Sequence, residues 1–249
     1  MIDESAYIEA MTTLHRGLRR QGPGDPSLSR HILERLPALP AEPRIADLGC
    51  GAGDSSILLA EHFRRPVRAV ERAEAFLEDL QRFAADAGVT ELIDPIAADM
   101  GALDWEPGSV DLLWSEGAAY NLTFAGALAA WRPLVAPGGI AVISEATWFE
   151  PDPPAEIAAY WNEGYPHMGD EATNRQRAED AGFTCLGIHR LVSEAWWTSY
   201  YQALQARIDT LRTNADAAML GVIAESETEM DLFRRYSDTY GYAFYVLQV

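Results

Sequence analysis

The stretch Arg44 to Ser56, reading R-I-A-D-L-G-C-G-A-G-D-S-S, constrains this chain more than any other. Ile45, Ala46 and Leu48 form a short apolar run, broken by Asp47 and closed by Gly49, Gly51 and Gly53. A helical pattern follows through Ile57, Leu58, Leu59, Ala60 and Phe63. Strand, glycine turn and helix in that order predict the first crossover of a doubly wound α/β sheet. The glycines let the backbone turn sharply and approach a ligand, which in such sheets lies beyond the carboxyl ends of the strands.

The rest of the chain repeats that alternation. Before the turn, residues 4–20 and 27–36 carry apolar residues at helical spacing, separated by Gly22-Pro23-Gly24. After it, strands are predicted at Val67–Glu71, Ile93–Ala98, Val110–Trp114 and Ile140–Ser144, with helices over 73–87 and 125–135 between them. Aromatic density rises beyond Glu145, and residues 151–182 and 193–238 read as lid or substrate insertions around a strand at 183–192. Tyr242–Leu247 suits a last strand. The expected organisation is one domain over 1–249, with a helical cap at 1–40 and a cofactor-binding core at 41–150.

The residues around the glycines select the ligand. A dinucleotide fingerprint needs a third glycine where Asp54 stands, and Asp47 precedes the turn. Two carboxylates there oppose a pyrophosphate and suit a cation. S-adenosyl-L-methionine carries an ammonium and a sulfonium, so the turn favours it over NAD. Glu71 ends the second strand 18 residues beyond Gly53, at the place of an acid that binds ribose hydroxyls. Asp99 and Met100 end the third strand, where they suit an adenine amino group and ring face. Ser115-Glu116-Gly117-Ala118-Ala119-Tyr120-Asn121 ends the fourth, over the switch point of the sheet. The Gln21–Gly24 loop reads either as a tight turn or as a donor set for a ligand carboxylate.

Charge bounds the partners. The chain of 249 residues has 19 Lys plus Arg against 38 Asp plus Glu, a formal net charge of −19. Such a field disfavours nucleic acid in the absence of a basic groove, and a small-molecule acceptor is expected instead. No apolar run approaches a membrane span, and the acidic N-terminus is unlike a signal peptide. Cys50 and Cys185 stand 135 positions apart without metal-ligand spacing, which fits reduced thiols in the cytoplasm and no metal. A homodimer is left open.

Together, Asp47–Gly53, Glu71, Asp99 and Val135–Gly139 resemble the motifs of class I S-adenosylmethionine-dependent methyltransferases. The resemblance implies a seven-stranded Rossmann-like sheet of order 3-2-1-4-5-7-6 with the last strand antiparallel. N-terminal helices and helical insertions near the C-terminus would flank it. Arg20–Gly24, Trp114–Asn121, Ser144–Phe149 and Tyr240–Tyr242 further resemble a bacterial subgroup labelled as ubiquinone/menaquinone-biosynthesis-like. The implied reaction is in-line methyl transfer, leaving S-adenosyl-L-homocysteine. Cofactor binding is then expected of Gln21, Gly24, Asp47, Gly49, Cys50, Gly51, Gly53, Glu71, Arg72, Asp99, Met100, Ser115 and Glu116. Glu116, Tyr120 and His15 are the candidate bases, and Tyr120, Asn121, Trp148, Trp161 and Trp197 the expected acceptor wall. The rivals are a cofactor-binding protein without turnover and an NAD-dependent oxidoreductase.

Overall fold

A computed structural model describes residues 3–249. Two helices, α1 (Glu4–His15) and α2 (Pro26–Leu33), precede the sheet. The alternating part runs β1 (Ile45–Leu48), α3 (Asp54–Phe63), β2 (Val67–Glu71), α4 (Glu74–Asp86), β3 (Ile93–Ala97), β4 (Val110–Ser115), α5 (Phe124–Trp131) and β5 (Val135–Trp148). Then come α6 (Ala155–Gly164), the two-residue β6 (Gly169–Asp170), α7 (Glu171–Asp180), β7 (Thr184–Arg190) and α8 (Ser193–Trp196). A π-helical turn (Trp197–Tyr201), α9 (Gln202–Leu211), α10 (Ala217–Tyr236) and β8 (Tyr240–Gln248) complete the described chain.

The sheet runs β3-β2-β1-β4-β5-β8-β7, with β6 pairing β5 off this path. Without β6 this is the expected seven-strand order. β8 is antiparallel to both β5 and β7, and the remaining pairs are parallel. Central parallel strands are covered on both faces, so β1 and β4 are buried along their whole length. One face packs against α1 to α4 and the C-terminal helices, with Ile45, Leu112, Val142 and Phe244 as its floor. The other packs against α5 and α7 through Phe124, Leu128, Trp131 and Ala178.

Local chemistry sets the helix ends. Asp25 caps α2 by accepting from Ser27 N at 2.8 Å, with Pro26 in the first turn. Thr123, Asp170 and Asp216 cap α5, α7 and α10 in the same manner. The first helix stops at His15, five residues short of the periodic pattern, because Gly17 turns left-handed at φ 83°. Residues 16–25 are thereby freed to cross the sheet's carboxyl edge. No described helix is long and apolar enough to cross a membrane.

Candidate active site

The turn after β1 holds Gly49, Gly51 and Gly53 at φ 70°, 53° and 82°. Its shape is fixed from below, where Gly49 N and Cys50 N donate to Val70 O. A Cβ at Gly49 would lie 2.3 Å from Ala118 Cβ, and one at Gly51 would lie 2.2 Å from Gln21 Oε1. These two glycines therefore admit the segment after β4 and the N-terminal loop onto the turn. Gly53 serves another purpose. Its missing Cβ makes room for Leu80 of α4, 1.9 Å from where it would sit, so it packs helices and does not line the cavity above the turn.

Above the turn lies a cavity of about 810 Å³. It brings together Gln21, Asp47, Gly49, Cys50, Gly51, Glu71, Arg72, Asp99, Met100, Glu116, Tyr120 and Asn121 from distant parts of the chain. At its floor, Asp47 is 1% exposed; Oδ2 accepts from Ser56 Oγ at 2.6 Å, while Oδ1 has no partner. Burial pushes this carboxyl up to about 7, against the Ser56 bond. An orphaned buried carboxylate oxygen is a site for a cationic donor. Glu71 accepts from Gly51 N, Arg72 N and Ala73 N, which lock its carboxylate at the cavity edge. Asp99 accepts from Gly101 N at 2.8 Å. Burial, with Asp47 and Glu71 nearby, raises the Cys50 thiol well above its usual value.

The N-terminal loop closes the cavity. Gln21 Oε1 accepts from Ala52 N at 2.7 Å, and its Nε2 donates to Leu18 O. Arg20 donates to Glu116 Oε2 at 2.8 Å and pairs with Asp54 Oδ2 at 2.9 Å, its side chain 8% exposed. Arg19 holds the other oxygen of Asp54. Asp54 is thus neutralised by the chain itself, and its charge is not what disfavours a pyrophosphate; Asp47 carries that argument alone. Gly24 lies outside the cavity. A Cβ there would stand 1.9 Å from Arg20 Nη1, so its bareness seats the guanidinium.

Several expected roles are revised by these contacts. Glu116 Oε1 accepts from Trp114 Nε1 and Ser29 Oγ, and Oε2 is taken by Arg20. Burial opposes its ionisation, but Arg20 and those two donors hold its pKa below the usual range. A carboxylate so occupied is a poor base. His15 is 5% exposed: Nδ1 donates to Met11 O, which leaves Nε2 to accept from Tyr200 OH at 2.8 Å. Burial lowers its pKa, and it lies outside the cavity lining. Ser115 also faces away, donating to Leu48 O. Trp148 and Trp161 pack on Tyr240, and Trp197 packs on Tyr201 beneath Arg234. These three tryptophans build the C-terminal aromatic core instead of a cavity wall. Tyr120 and Asn121 do line the cavity.

Sequence reasoning missed Ile8, Thr12 and Phe76, which also line it. Phe76 follows the acid of β2 in the first turn of α4, a readable signal. Ile8 and Thr12 sit on an ordinary amphipathic helix and become visible only once α1 is placed. Glu145, inside the Ser144–Phe149 stretch, lies outside that lining. It is 2% exposed beside Tyr165 with neither oxygen partnered, and burial pushes it to about 8 despite Tyr165 and Arg177.

A family model described as "Methyltransferase domain" matches residues 45–139. The trans-aconitate 2-methyltransferase of Streptomyces avermitilis is 32% identical over 195 residues, covering 70% of this chain and 67% of that protein. The Escherichia coli enzyme of the same name is 28% identical over 233 residues, covering 83% and 81%. The structure of an S-adenosylmethionine-dependent methyltransferase from Geobacter sulfurreducens in complex with S-adenosyl-L-homocysteine matches with a TM-score of 0.80. It is 18% identical and covers 96% of this chain and 97% of its own, a likeness of fold. None of these names speaks of a quinone, so they lend the narrower resemblance no support.

Proposed function

Because the chain belongs to the class I S-adenosylmethionine-dependent methyltransferases and acts on a small-molecule acceptor, we propose that the cavity under the Arg20–Gly24 loop is its cofactor site. The observation that carries this reading is the orphaned Oδ1 of Asp47, buried at the end of β1 where a ligand cation completes it. Asp47 holds the cofactor's ammonium by charge. Glu71 accepts from the ribose hydroxyls with lone pairs left free by its backbone donors, and Asp99 accepts from the adenine amino group beside Met100. Gln21 and Arg20 keep the loop down and exclude water from the methionine end.

The bound cofactor supplies a methyl group already attached to a cationic leaving group. The protein's task is therefore alignment and dehydration, which are worth several kcal/mol of a barrier. With Glu116 pinned, its part is to anchor Arg20 and not to take a proton. Residues 193–238 support the loop from behind, since Ser199 Oγ accepts from Gly24 N at 3.3 Å.

Calorimetry with S-adenosylmethionine and S-adenosylhomocysteine tests the site. Asp47→Ala and Gly51→Val should each abolish measurable binding while circular dichroism stays unchanged; near-normal affinity in either overturns the assignment. Methyl incorporation into trans-aconitate, named for the relatives, is to be assayed beside neutral small molecules.

A further inference from the structure

The cavity's charges are unevenly spread. Six carboxylates line it (Asp47, Asp54, Glu71, Glu74, Asp99 and Glu116) against three guanidiniums. Two of those guanidiniums, Arg19 and Arg20, are committed to Asp54 and Glu116, and the third, Arg72, follows the acid of β2 at the nucleoside side. The far side is made by Ile8 and Thr12 of α1 and by Tyr120, which is 44% exposed and stands edge-on to Tyr165 with 6.2 Å between centroids. Behind this wall stand further acids. Tyr7 donates to Glu225 at 2.7 Å, and Tyr201 donates to Glu229 at 2.7 Å. Burial and the Glu225 carboxylate raise Tyr7 to about 12, and burial raises Glu229 itself, so Glu225 is the formal charge nearest this wall. Burial, Tyr120 and Glu229 push Tyr242 well above its usual value.

Two consequences follow for an acceptor seated against Tyr120. A polycarboxylate meets phenol, hydroxyl and methyl groups with Glu225 behind them, and loses its hydration without gaining an ion pair. A nucleophile that must lose a proton finds Glu116 occupied by three donors and His15 sealed against Tyr200.

Resting on the cofactor site assigned above, we propose that the acceptor is a small neutral molecule offering an unprotonated lone pair, a heteroaromatic nitrogen or a thioether, whose methylation leaves a cation against Tyr120. The lone pair forms the new bond to the methyl carbon, the carbon–sulfur bond breaks, and its electron pair stays on sulfur. No proton is released and no base is required. The positive charge passes from one end of the cavity to the other, where the acids and the aromatic face receive it.

The test uses the full chain loaded with S-adenosylhomocysteine and two probes, N-methylquinolinium as product cation and propane-1,2,3-tricarboxylate as polyanion. Calorimetry should give the cation an affinity at least about tenfold higher than the tricarboxylate. Tyr120→Ala should weaken the cation about threefold or more, and Thr12→Arg should reverse the preference, each titrated at saturating S-adenosylhomocysteine after its own affinity for that ligand is measured. A tricarboxylate that binds as well as the cation, or a cation without saturable binding, overturns the proposal. Failure of S-adenosylhomocysteine itself to bind would instead strike the cofactor site on which the proposal rests.

Discussion

Lowering the pH through neutrality should loosen the cofactor, and Asp47 sets the size of the effect. Its carboxyl titrates at about 7 in the empty cavity because it is buried with one oxygen unpartnered. An ammonium paired to it favours the charged form and lowers that pKa. Binding then releases a proton whenever the empty site is protonated, so affinity falls as pH falls below 7. If the bound carboxyl stays ionised over this range, the dissociation constant rises at most about 15-fold from pH 7 to pH 5.5. The window stops at pH 7 because the ligand's own amino group begins to titrate near 8. Calorimetry at pH 6 in two buffers of different ionisation heat should report about one proton released per cofactor bound. Asp47→Asn should bind more weakly by about 1–3 kcal/mol and lose both the slope and the proton. A flat dissociation constant across this range in the parent, or an unchanged slope in the variant, refutes the assignment of Asp47 to the cation.

Three further outcomes are expected. Glu71→Ala should cost about 1–3 kcal/mol in cofactor binding and narrow the preference over the 2′-deoxyribose analogue, as paired titrations would show; undiminished discrimination makes Glu71 a bystander. Gly24→Ala should push Arg20 off Glu116, lowering the melting temperature and exposing residues 16–25 to limited proteolysis; parental cleavage rates would contradict the packing described. Glu145 has its folded pKa raised from 4.5 to about 8, so the folded state holds the proton longer than the unfolded one. Its effect on stability therefore worsens as pH rises from about 4.5 to 8. Glu145→Gln should be near neutral at pH 5 and stabilise by ~3 kcal/mol at pH 9 in denaturant melts; an equal effect at both pH values contradicts the buried charge.

The parallel half of the sheet was readable because each strand there is short, apolar and closed by an acid or glycine. Asp47, Glu71, Asp99 and Glu116 all fall at strand ends, where topology alone gathers them. The tryptophans misled for a physical reason. Sequence shows that Trp148, Trp161 and Trp197 are large and dense, but not that β8 brings Tyr240 beneath the first two and the π-helical turn brings Tyr201 beneath the third. Glu116 misled for another: its place over the switch point was legible, its three donors were not, since Arg20 and Ser29 come from elements that carry no register with β4. Strand β5 also proved longer than its apolar run. It starts at Val135 opposite Val110, is disturbed over Pro137–Gly139, and resumes at Ile140 opposite Leu112.

The placement of β8 bears on how the chain leaves the ribosome. Tyr240–Gln248 pairs with β5 from Ile140 to Trp148 on one side and with β7 from Thr184 to Arg190 on the other. Both partners are synthesised long before it. For the time needed to translate some ninety intervening residues, β5 presents an apolar edge with its ladder groups unpaired, a template for pairing with another nascent chain. The parallel half can assemble during synthesis, whereas β7 has no neighbour in the sheet until β8 arrives. Slowing translation just upstream of residue 240 should therefore increase insoluble product, and a chaperone that shields strand edges should act in that interval.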